Sequence, residues 1–271
     1  MGSSSPASAR RPRFVAVLVM ILAGWSAAGS APAAEQAAQD AALLDRLVAA
    51  YPDFLASHHD NVLLWQDGTE MAFDDGKGAK DFDTLLNDPD LQDMFYAPYP
   101  PGRAGTPPGV DIDPGRVRYE PFFDKMYGNC KTGEVARKLV TVTWLPKHGA
   151  ARLKVTPVNG IAEKLKAISA ELDALPGSFV KYLTPSGGTY NCRTIAGTKR
   201  QSVHGNGIAI DINVAWSDYW RNHRPVGGKY PYKNRIPWEI VEIFEKHGFI
   251  WGGKWYHYDT MHFEYRPELL P

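Results

Sequence analysis

The sequence predicts an α+β fold in which a small antiparallel sheet is flanked by helices and preceded by an N-terminal accessory segment. Strand-like stretches with alternating apolar residues and helix-like stretches with apolar residues three or four apart follow one another in mixed order, which favours this architecture. A stretch rich in proline and glycine, 97–115, divides the chain. The composition of the 271 residues, 44% hydrophobic and 22% charged, is that of a globular protein.

The first 33 residues have the pattern of a secretory signal peptide. Arg10, Arg11 and Arg13 precede an apolar run, 14–25, that is too short to span a membrane comfortably. Small residues follow, and the Ala-Pro-Ala sequence at 31–33 fits a cleavage site. An uncleaved N-terminal anchor is the alternative. With cleavage, we expect a periplasmic or secreted protein that has no stable membrane insertion.

The charge balance excludes one class of partner. Removal of residues 1–33 leaves 27 basic and 30 acidic side chains, a formal charge of −3. Because there is no basic excess, the sequence predicts no nucleic-acid partner. We expect a mildly acidic exported protein that is a monomer.

The two cysteines, Cys130 and Cys192, lie 62 positions apart. In an exported chain two cysteines most simply form a disulfide bond. Two free buried thiols or a metal site are the alternatives, but neither cysteine has another cysteine close by in the sequence. We therefore predict a structural disulfide that closes a long loop.

The N-terminal accessory segment, 34–114, begins with helical spacing. Apolar residues recur three or four positions apart between 43 and 55, and Pro52 predicts a break or kink in this helix. Two short strands are expected within 61–73, on either side of a Gln-Asp-Gly turn. A brief helical turn is expected at 88–95, before the irregular stretch.

The remaining residues, 115–271, begin with a predicted hairpin and a helix. Alternating stretches at 137–145 and 151–158 flank a short turn sequence, which is typical of a β-hairpin. Asn159 is expected to cap an amphipathic helix, because its apolar residues then fall on one face. The Pro-Gly pair at 176–177 is expected to end this helix.

Two more elements are predicted nearer the C-terminus. The stretch TYNCRTI, 189–195, has the composition of a short strand. A second helix is expected to start at Pro237 and to end at Gly248, since proline is favoured at helix starts and glycine just after helix ends. The chain then closes with an aromatic-rich stretch.

The stretch SVHGNGIAIDIN, 202–213, places a histidine and a carboxylate at the two ends of a strand-like segment. Alternation puts its isoleucines on one face and Asp211 on the other. Gly205 and Gly207 let the chain bend, so that the His204 imidazole can approach this carboxylate. Taken alone, the pattern equally fits a simple Asp–His hydrogen bond within a sheet.

The C-terminal stretch YDTMHFEY, 258–265, completes a set of metal ligands. His262 alternates with apolar residues as in a strand. Two imidazoles and one carboxylate, here His204, His262 and Asp211, are a common ligand set for catalytic zinc, with the fourth position open to water. Asp259 would need a turn before the strand to face the same pocket, where it could act as general base.

These two motifs together resemble those of the zinc peptidases of bacterial cell-wall metabolism. That family includes the VanY-like D-alanyl-D-alanine carboxypeptidases and the L-alanyl-D-glutamate endopeptidases. The family pattern is Ser-x-His-x-x-Gly-x-Ala-x-Asp, followed later by an acid, two residues and a histidine. All its fixed positions are present, namely Ser202, His204, Gly207, Ala209, Asp211, Asp259 and His262.

The resemblance implies a fold, a cofactor and a domain boundary. It implies a Hedgehog/DD-peptidase-like zinc peptidase domain over 115–271, with one Zn²⁺ per chain held by His204, Asp211 and His262. The acid is glutamate in many relatives and is Asp259 here, and the resemblance implies that this shorter side chain is the base and lies closer to the metal. The combination of Asp-x-x-His-Phe-Glu with Trp-Gly-Gly-x-Trp is most similar to the endopeptidase branch.

Three further residues are candidates for substrate binding. Arg193 matches an arginine that the family carries upstream of the first ligand, which implies that it holds a substrate carboxylate or stabilises the oxyanion. A surface arginine is the alternative. Ser202 is expected to hydrogen-bond near the site or to shape the turn. Trp255 is a candidate wall of a substrate groove, although aromatic residues at strand spacing are more often part of a core.

The leading hypothesis is a zinc-dependent peptidase that hydrolyses amide bonds in peptidoglycan stem peptides through a metal-activated water. The motif does not decide between D-Ala-D-Ala carboxypeptidase and L-Ala-D-Glu endopeptidase. The alternative is a non-catalytic, zinc-containing module that binds the cell wall on the same scaffold. Other peptidase classes fit badly, because the sequence has no His-Glu-x-x-His or Gly-x-Ser-x-Gly motif.

Overall fold

The computed structural model describes residues 1–2, 30–103 and 108–271. It contains helices and three small antiparallel sheets, which confirms the predicted α+β class. The helices are α1 Ser30–Ala50, α2 Phe82–Asn87, α3 Glu120–Tyr127, α4 Glu134–Lys138, α5 Ile161–Asp173, α6 Val180–Leu183 and α7 Trp238–Lys246. The strands are β1 Leu55–His59, β2 Val62–Trp65, β3 Glu70–Ala72, β4 Val140–Trp144, β5 Ala151–Val155, β6 Ala209–Asp211, β7 Phe249–Trp251 and β8 His262–Tyr265.

The apolar run of the predicted signal peptide, 14–25, lies outside the described residues. Among the residues that are described, no helix combines the length and the apolar character that a membrane crossing requires. The signal peptide therefore stays a prediction.

The N-terminal segment forms a helix and a meander of three strands. Helix α1 ends just before Tyr51 and Pro52, as expected, because proline cannot continue a helix. The helical pattern was wrong beyond that point, since Leu55 lies in strand β1 and pairs with Trp65. Strands β2 and β3 pair in antiparallel fashion around the predicted Gln-Asp-Gly turn.

The apolar core runs through both halves of the chain. Leu47 of α1 and Leu63 of β2 belong to the same buried cluster as Phe122, Ile210 and Phe263 from the C-terminal part. The N-terminal segment thus packs into the core that supports the C-terminal strands, because neither part buries its apolar face alone. The boundary near residue 114 stays a prediction.

An acidic corner of the N-terminal segment encloses a lysine. The Lys80 ammonium lies 3.0 Å from a carboxylate oxygen of Asp75, 3.0 Å from Asp90 and 2.6 Å from Asp93. Its side chain is only 4% exposed. The group Asp74, Asp75 and Asp90 has the spacing of a cation site, but the lysine already supplies the positive charge there.

Two local predictions were wrong. Asn159 does not cap α5; it adopts a left-handed conformation with φ 55°, which asparagine tolerates, and its amide donates to the Tyr127 hydroxyl at 2.9 Å. The helix instead begins after Gly160. The stretch 189–195 forms no strand, and it contributes a single bridge, Thr194 to Gln201.

The sheet that positions the candidate site has the order β6-β8-β7. In its register Asp211 is paired with His262, and Ile210 with Phe263. Phe263 stacks on Phe244 of α7, with ring centroids 3.9 Å apart, so α7 covers the buried face of the sheet. This packing fixes β8 beside β6 and therefore brings Asp211 and His262 together.

The predicted disulfide between Cys130 and Cys192 is confirmed, with a Cα–Cα distance of 5.7 Å. It packs against the turn that carries His204. A Cβ atom added at Gly205 would lie 2.9 Å from the Cys130 sulfur, a contact too close for any other residue without displacement. The bridge therefore supports the backbone of the candidate site as well as closing a long loop.

Replacing both cysteines, Cys130→Ser with Cys192→Ser, is expected to lower the free energy of unfolding by about 2–4 kcal/mol, because the loop closed by the bridge is long. Urea denaturation measures the change. Wild-type protein in excess reductant is the control and should unfold at the same midpoint as the double variant. An oxidised wild type that unfolds at the midpoint of the double variant would contradict the expectation.

Candidate metal centre

Three donor atoms converge at the junction of β6 and β8. His204 Nε2 lies 3.3 Å from His262 Nδ1 and 3.3 Å from Asp211 Oδ1, and the latter two atoms are 3.1 Å apart. Ligands at about 2.0–2.2 Å around a tetrahedral zinc ion lie about 3.3–3.6 Å apart. The donor set and its spacing therefore fit a zinc ion with little rearrangement.

The donors are buried but accessible from one side. The His204 and His262 side chains are each 7% exposed, whereas Asp211 keeps 21% of its side chain exposed. Solvent and ligands can thus reach the triangle along the carboxylate. Buried imidazoles with one open side are typical of a catalytic metal site rather than a closed structural one.

His204 is held by a short 3-10 turn, Val203–Asn206. Its Nδ1 lies 2.5 Å from the Thr189 carbonyl oxygen. A carbonyl oxygen can only accept, so Nδ1 carries the proton and Nε2 presents its lone pair to the centre. Gly207 ends the turn at φ 71°, a conformation that favours glycine.

His262 is oriented by a carboxylate that the sequence analysis missed. Its Nε2 lies 2.9 Å from Glu264 Oε2. This contact keeps the proton on Nε2 and directs the Nδ1 lone pair towards Asp211 and His204. Glu264 lies two residues further along β8, and the alternation of polar residues in HFE is the signal that could have found it.

Glu264 is fully buried and is neutralised by arginines. Arg118 binds both of its oxygens, and Arg266 Nη1 lies 3.1 Å from Oε1. Burial alone would raise the pKa of Glu264, but Arg118 and His262 outweigh it and hold this pKa well below its usual range. Glu264 is therefore an anion that stabilises positive charge on His262.

Further ion pairs and hydrogen bonds connect Glu264 to Tyr51, the residue that follows helix α1. Arg266 Nε lies 2.5 Å from Glu268, and the Tyr51 hydroxyl donates to Glu268 at 2.6 Å. All four side chains, from Glu264 through Arg266 and Glu268 to Tyr51, are buried. Buried charges need such partners, and this continuous chain links the end of α1 to the candidate metal ligand.

The carboxylates of Asp211 and Glu264 favour a positive charge at the donor triangle. Burial lowers the pKa of His262, but hydrogen bonds to Asp211 and Glu264 outweigh it and raise this pKa to about 9. Burial would raise the pKa of Asp211, whereas the charges of His204 and His262 hold it well below its usual range. A proton and a metal ion therefore compete for the same imidazole, and metal binding must release that proton.

Asp259 approaches the centre from the turn before β8. Its backbone oxygen accepts from His262 N at 3.1 Å. Its Oδ1 is buried and has no hydrogen-bond partner. Burial and the nearby Asp211 carboxylate raise the pKa of Asp259 to about 6, with His262 opposing. An unpartnered buried carboxylate oxygen of this kind is suited to accept a proton from a bound ligand or water.

Arg193 does not contact the donor triangle. Its side chain is exposed, and its guanidinium lies 3.4 Å from the carbonyl oxygen of the next residue. Its backbone oxygen accepts from Ser202 N at 2.9 Å. A substrate-binding role for Arg193 thus stays a prediction, and in this structure the residue shapes the entry to the 3-10 turn.

Ser202 and Trp255 are both buried. The Ser202 carbonyl accepts from Gly205 N at 2.8 Å and so closes the turn of His204. The Trp255 ring lies 5.6 Å from the His262 ring, and its indole nitrogen donates to the Pro114 carbonyl at 2.7 Å. Trp255 therefore packs against the ligand histidine, and direct contact of either residue with substrate stays a prediction.

Arg116 and the buried Asp113 also lie near the centre, and no sequence motif indicated them. Arg116 is one of the charges that act on the Asp259 carboxylate, and its guanidinium lies 5.5 Å from the Trp255 ring centroid. The His257 side chain is only 14% exposed and pairs with buried Asp113 at 2.8 Å. Arg116 and Asp113 both contact His257, from 141 and 144 positions away.

Two imidazoles, one carboxylate and an unpartnered acid are the set of groups that a single-metal hydrolase uses. A family model described as D-alanyl-D-alanine carboxypeptidase matches residues 196–265. The resemblance to the VanY-like peptidases is thus confirmed over this segment, which holds all three donors and Asp259. The match indicates a peptidase related to peptidoglycan metabolism.

No curated protein and no solved structure matches the chain. The Hedgehog/DD-peptidase-like topology therefore stays a prediction. Arg193 precedes the matched segment, as does the whole N-terminal part.

Proposed function

We propose that this protein is a zinc-dependent peptidase that hydrolyses an amide bond in peptidoglycan stem peptides, acting outside the cytoplasmic membrane as a monomer. One observation carries the proposal: the donor atoms of His204, Asp211 and His262 meet within 3.3 Å beside the unpartnered oxygen of Asp259. The predicted signal peptide and the matched peptidase family support the location.

The chain's own groups divide the chemical work. Bound zinc would polarise the scissile carbonyl and lower the pKa of water near it. The Thr189 carbonyl and the Glu264 carboxylate keep both imidazoles in the tautomers that ligation needs. Asp259 takes the proton from the attacking water and delivers it to the leaving amine.

The pKa of Asp259 suits both proton transfers. A base with a pKa of about 6 is ionised at neutral pH and still basic enough to accept a proton. Its conjugate acid is strong enough to protonate a departing amine. The pKa of Asp259 is raised by its burial and by the nearby Asp211 carboxylate. An exposed aspartate would have a lower pKa and would be a weaker base.

The test is mass spectrometry of muropeptides incubated with the protein, with zinc and after chelation. Zinc-dependent loss of one terminal alanine defines a carboxypeptidase, and release of a fragment that begins with D-glutamate defines an endopeptidase. If neither product forms while the protein holds one zinc per chain, the catalytic proposal is wrong. A zinc-containing wall-binding module then explains the site better.

A further inference from the structure

A cleft of about 510 Å³ is lined in part by Arg118, which binds the Glu264 carboxylate that orients His262. Its walls are the end of α2 with the residues after it, 86–89, the segment 116–121, and the loop 195–201. Four basic side chains line it, Arg116, Arg118, Lys199 and Arg200. Nothing in the proposed hydrolysis uses this cluster, so its charge requires a separate explanation.

Two of the four basic groups have partners inside the protein. Arg118 binds the Glu264 carboxylate, and Arg116 donates to the His257 carbonyl at 2.9 Å and lies 3.6 Å from the Asp113 carboxylate. Both are only 11–12% exposed at the side chain. These arginines are therefore part of the frame around the metal centre and lend the cleft their positive field.

Arg200 has no such partner. Its guanidinium makes no hydrogen bond with any described residue, and its Nε is buried without an acceptor. Burial, followed by the charges of Arg116, Arg118 and Arg221, lowers the pKa of Arg200 to about 10. A half-buried cation beside other cations costs free energy unless an anion joins it.

The acids on the cleft wall are already engaged. Glu120 accepts the backbone N–H of Gln201 at 2.6 Å, and Asp88 pairs with Lys77 at 2.8 Å. Neither hydrogen-bonds to Arg200. Asp83 acts on the Arg200 charge without hydrogen-bonding to it, so the guanidinium has no acceptor among the described residues. A guanidinium fork is best matched by a carboxylate, which it binds through two parallel hydrogen bonds.

The position of Arg200 is fixed by its loop. Ile195 N donates to the Arg200 carbonyl at 2.9 Å, and Thr194 pairs with Gln201 just outside it. Arg221 donates to the Ala196 carbonyl at 2.8 Å. The disulfide at Cys192 anchors the start of this segment. These contacts fix the backbone of the loop at Arg200, whose side chain lines the cleft.

The cleft and the metal centre share a wall. Arg116 lies over the Trp255 ring, which in turn lies 5.6 Å from the His262 ring. Arg200 also precedes His204 by four residues in the chain, so one short stretch of backbone carries both the cleft wall and a metal ligand.

We propose that this cleft is a specificity subsite in which Arg200, assisted by Lys199 and Arg116, binds a carboxylate of the peptide substrate near the scissile bond. The proposal rests on the proposed peptidase function and deepens it: the protein selects stem peptides that carry a free acid at this position over those in which the acid is amidated. Arg200 acts here as a binding residue, whereas Asp259 and the metal ligands carry the chemistry.

The test compares two synthetic stem peptides that differ only in one glutamate group, carboxylate or carboxamide. We expect zinc-loaded wild type to cleave the carboxylate peptide with a kcat/KM about 10–100-fold higher, as for a charged hydrogen-bond pair. Arg200→Gln should reduce this preference to less than about threefold. Arg152→Gln, which removes an exposed arginine of β5 that makes no side-chain hydrogen bond, is the matched control and should keep it.

Equal cleavage of both peptides by wild type, or a preference that survives in Arg200→Gln, would overturn the subsite. Titration calorimetry of the same two peptides adds a readout that needs no turnover. If no peptide is cleaved, the peptidase proposal fails, while tighter binding of the carboxylate peptide to wild type than to Arg200→Lys still supports the subsite. Equal binding to both proteins rejects it. Arg200→Lys keeps the positive charge and loses only the paired N–H donors of the guanidinium. It can therefore be used in the kinetic comparison if Arg200→Gln does not fold.

Discussion

The Asp259→Asn variant is expected to retain one zinc per chain and to lose a factor of about 10²–10⁴ in kcat, the usual contribution of a positioned general base. Asparagine preserves the shape of the side chain but cannot accept the proton. Steady-state kinetics on muropeptides, together with metal analysis of the same preparation, measures both quantities. A variant with near wild-type kcat would remove Asp259 from the mechanism.

The same variant is expected to be more stable than wild type without zinc at neutral pH. The pKa of Asp259 is about 6 in the folded protein, against an ordinary value of 3.8 for an aspartate in the unfolded chain. Between these values the unfolded chain releases its proton while the folded protein keeps it, so wild-type stability falls as pH rises and is constant above about 6. Asparagine escapes this cost.

Thermal unfolding in chelator between about pH 4 and pH 8 measures the effect. The Tm of Asp259→Asn minus that of wild type should grow with pH up to about 6 and then level off. A difference that does not change with pH would show that Asp259 has an ordinary pKa in the folded protein. A large loss of kcat combined with a higher Tm is typical of the replacement of a catalytic residue.

Replacing a ligand is expected to have the second large effect. In His262→Gln the imidazole that joins Asp211 and Glu264 to the centre is lost. Zinc sites in small proteins share about 10–16 kcal/mol among four ligands, so one ligand carries about 3–4 kcal/mol, or about 10²–10³-fold in affinity. Equilibrium dialysis with zinc should show this weakening, and activity at limiting zinc should disappear.

His59→Gln is the matched control, because His59 is an exposed histidine of β1. It should bind zinc as wild type does. If His262→Gln also keeps full zinc affinity, then the centre is not where the metal binds. Circular dichroism of both variants separates loss of ligand from loss of fold, which matters because Glu264 loses a buried hydrogen bond in His262→Gln.

The donor triangle could be predicted because its signals are local. His204 and Asp211 lie seven residues apart around glycines, and His262 follows an acid at a fixed spacing, so short motifs carry most of the site. The helix at Trp238–Lys246 and the hairpin of β4 and β5 were likewise evident from their periodicity. The helical pattern beyond Pro52 and the strand expected at 189–195 were wrong because short apolar runs are decided by their tertiary partners.

The groups that surround the donors could not be predicted, because they come from distant parts of the chain. Arg118 lies 146 residues from Glu264, and Tyr51 lies 217 residues from Glu268. No periodicity marks such pairs, which form only when the sheet, α1 and the segment after 115 pack together. The absence of a hydrogen-bond partner for the Arg200 guanidinium among the described residues could not be predicted either, because no sequence pattern marks an unpaired side chain.

The lysine enclosed in the acidic corner makes chelation a selective tool for this protein. The Lys80 ammonium lies among Asp75, Asp90 and Asp93, where it occupies the place that a divalent ion would take. We therefore expect a chelator to act at His204, Asp211 and His262 and to leave the N-terminal segment folded. A loss of activity after chelation would then report on the candidate metal centre, and reconstitution with different metal ions would identify the ion that this centre prefers.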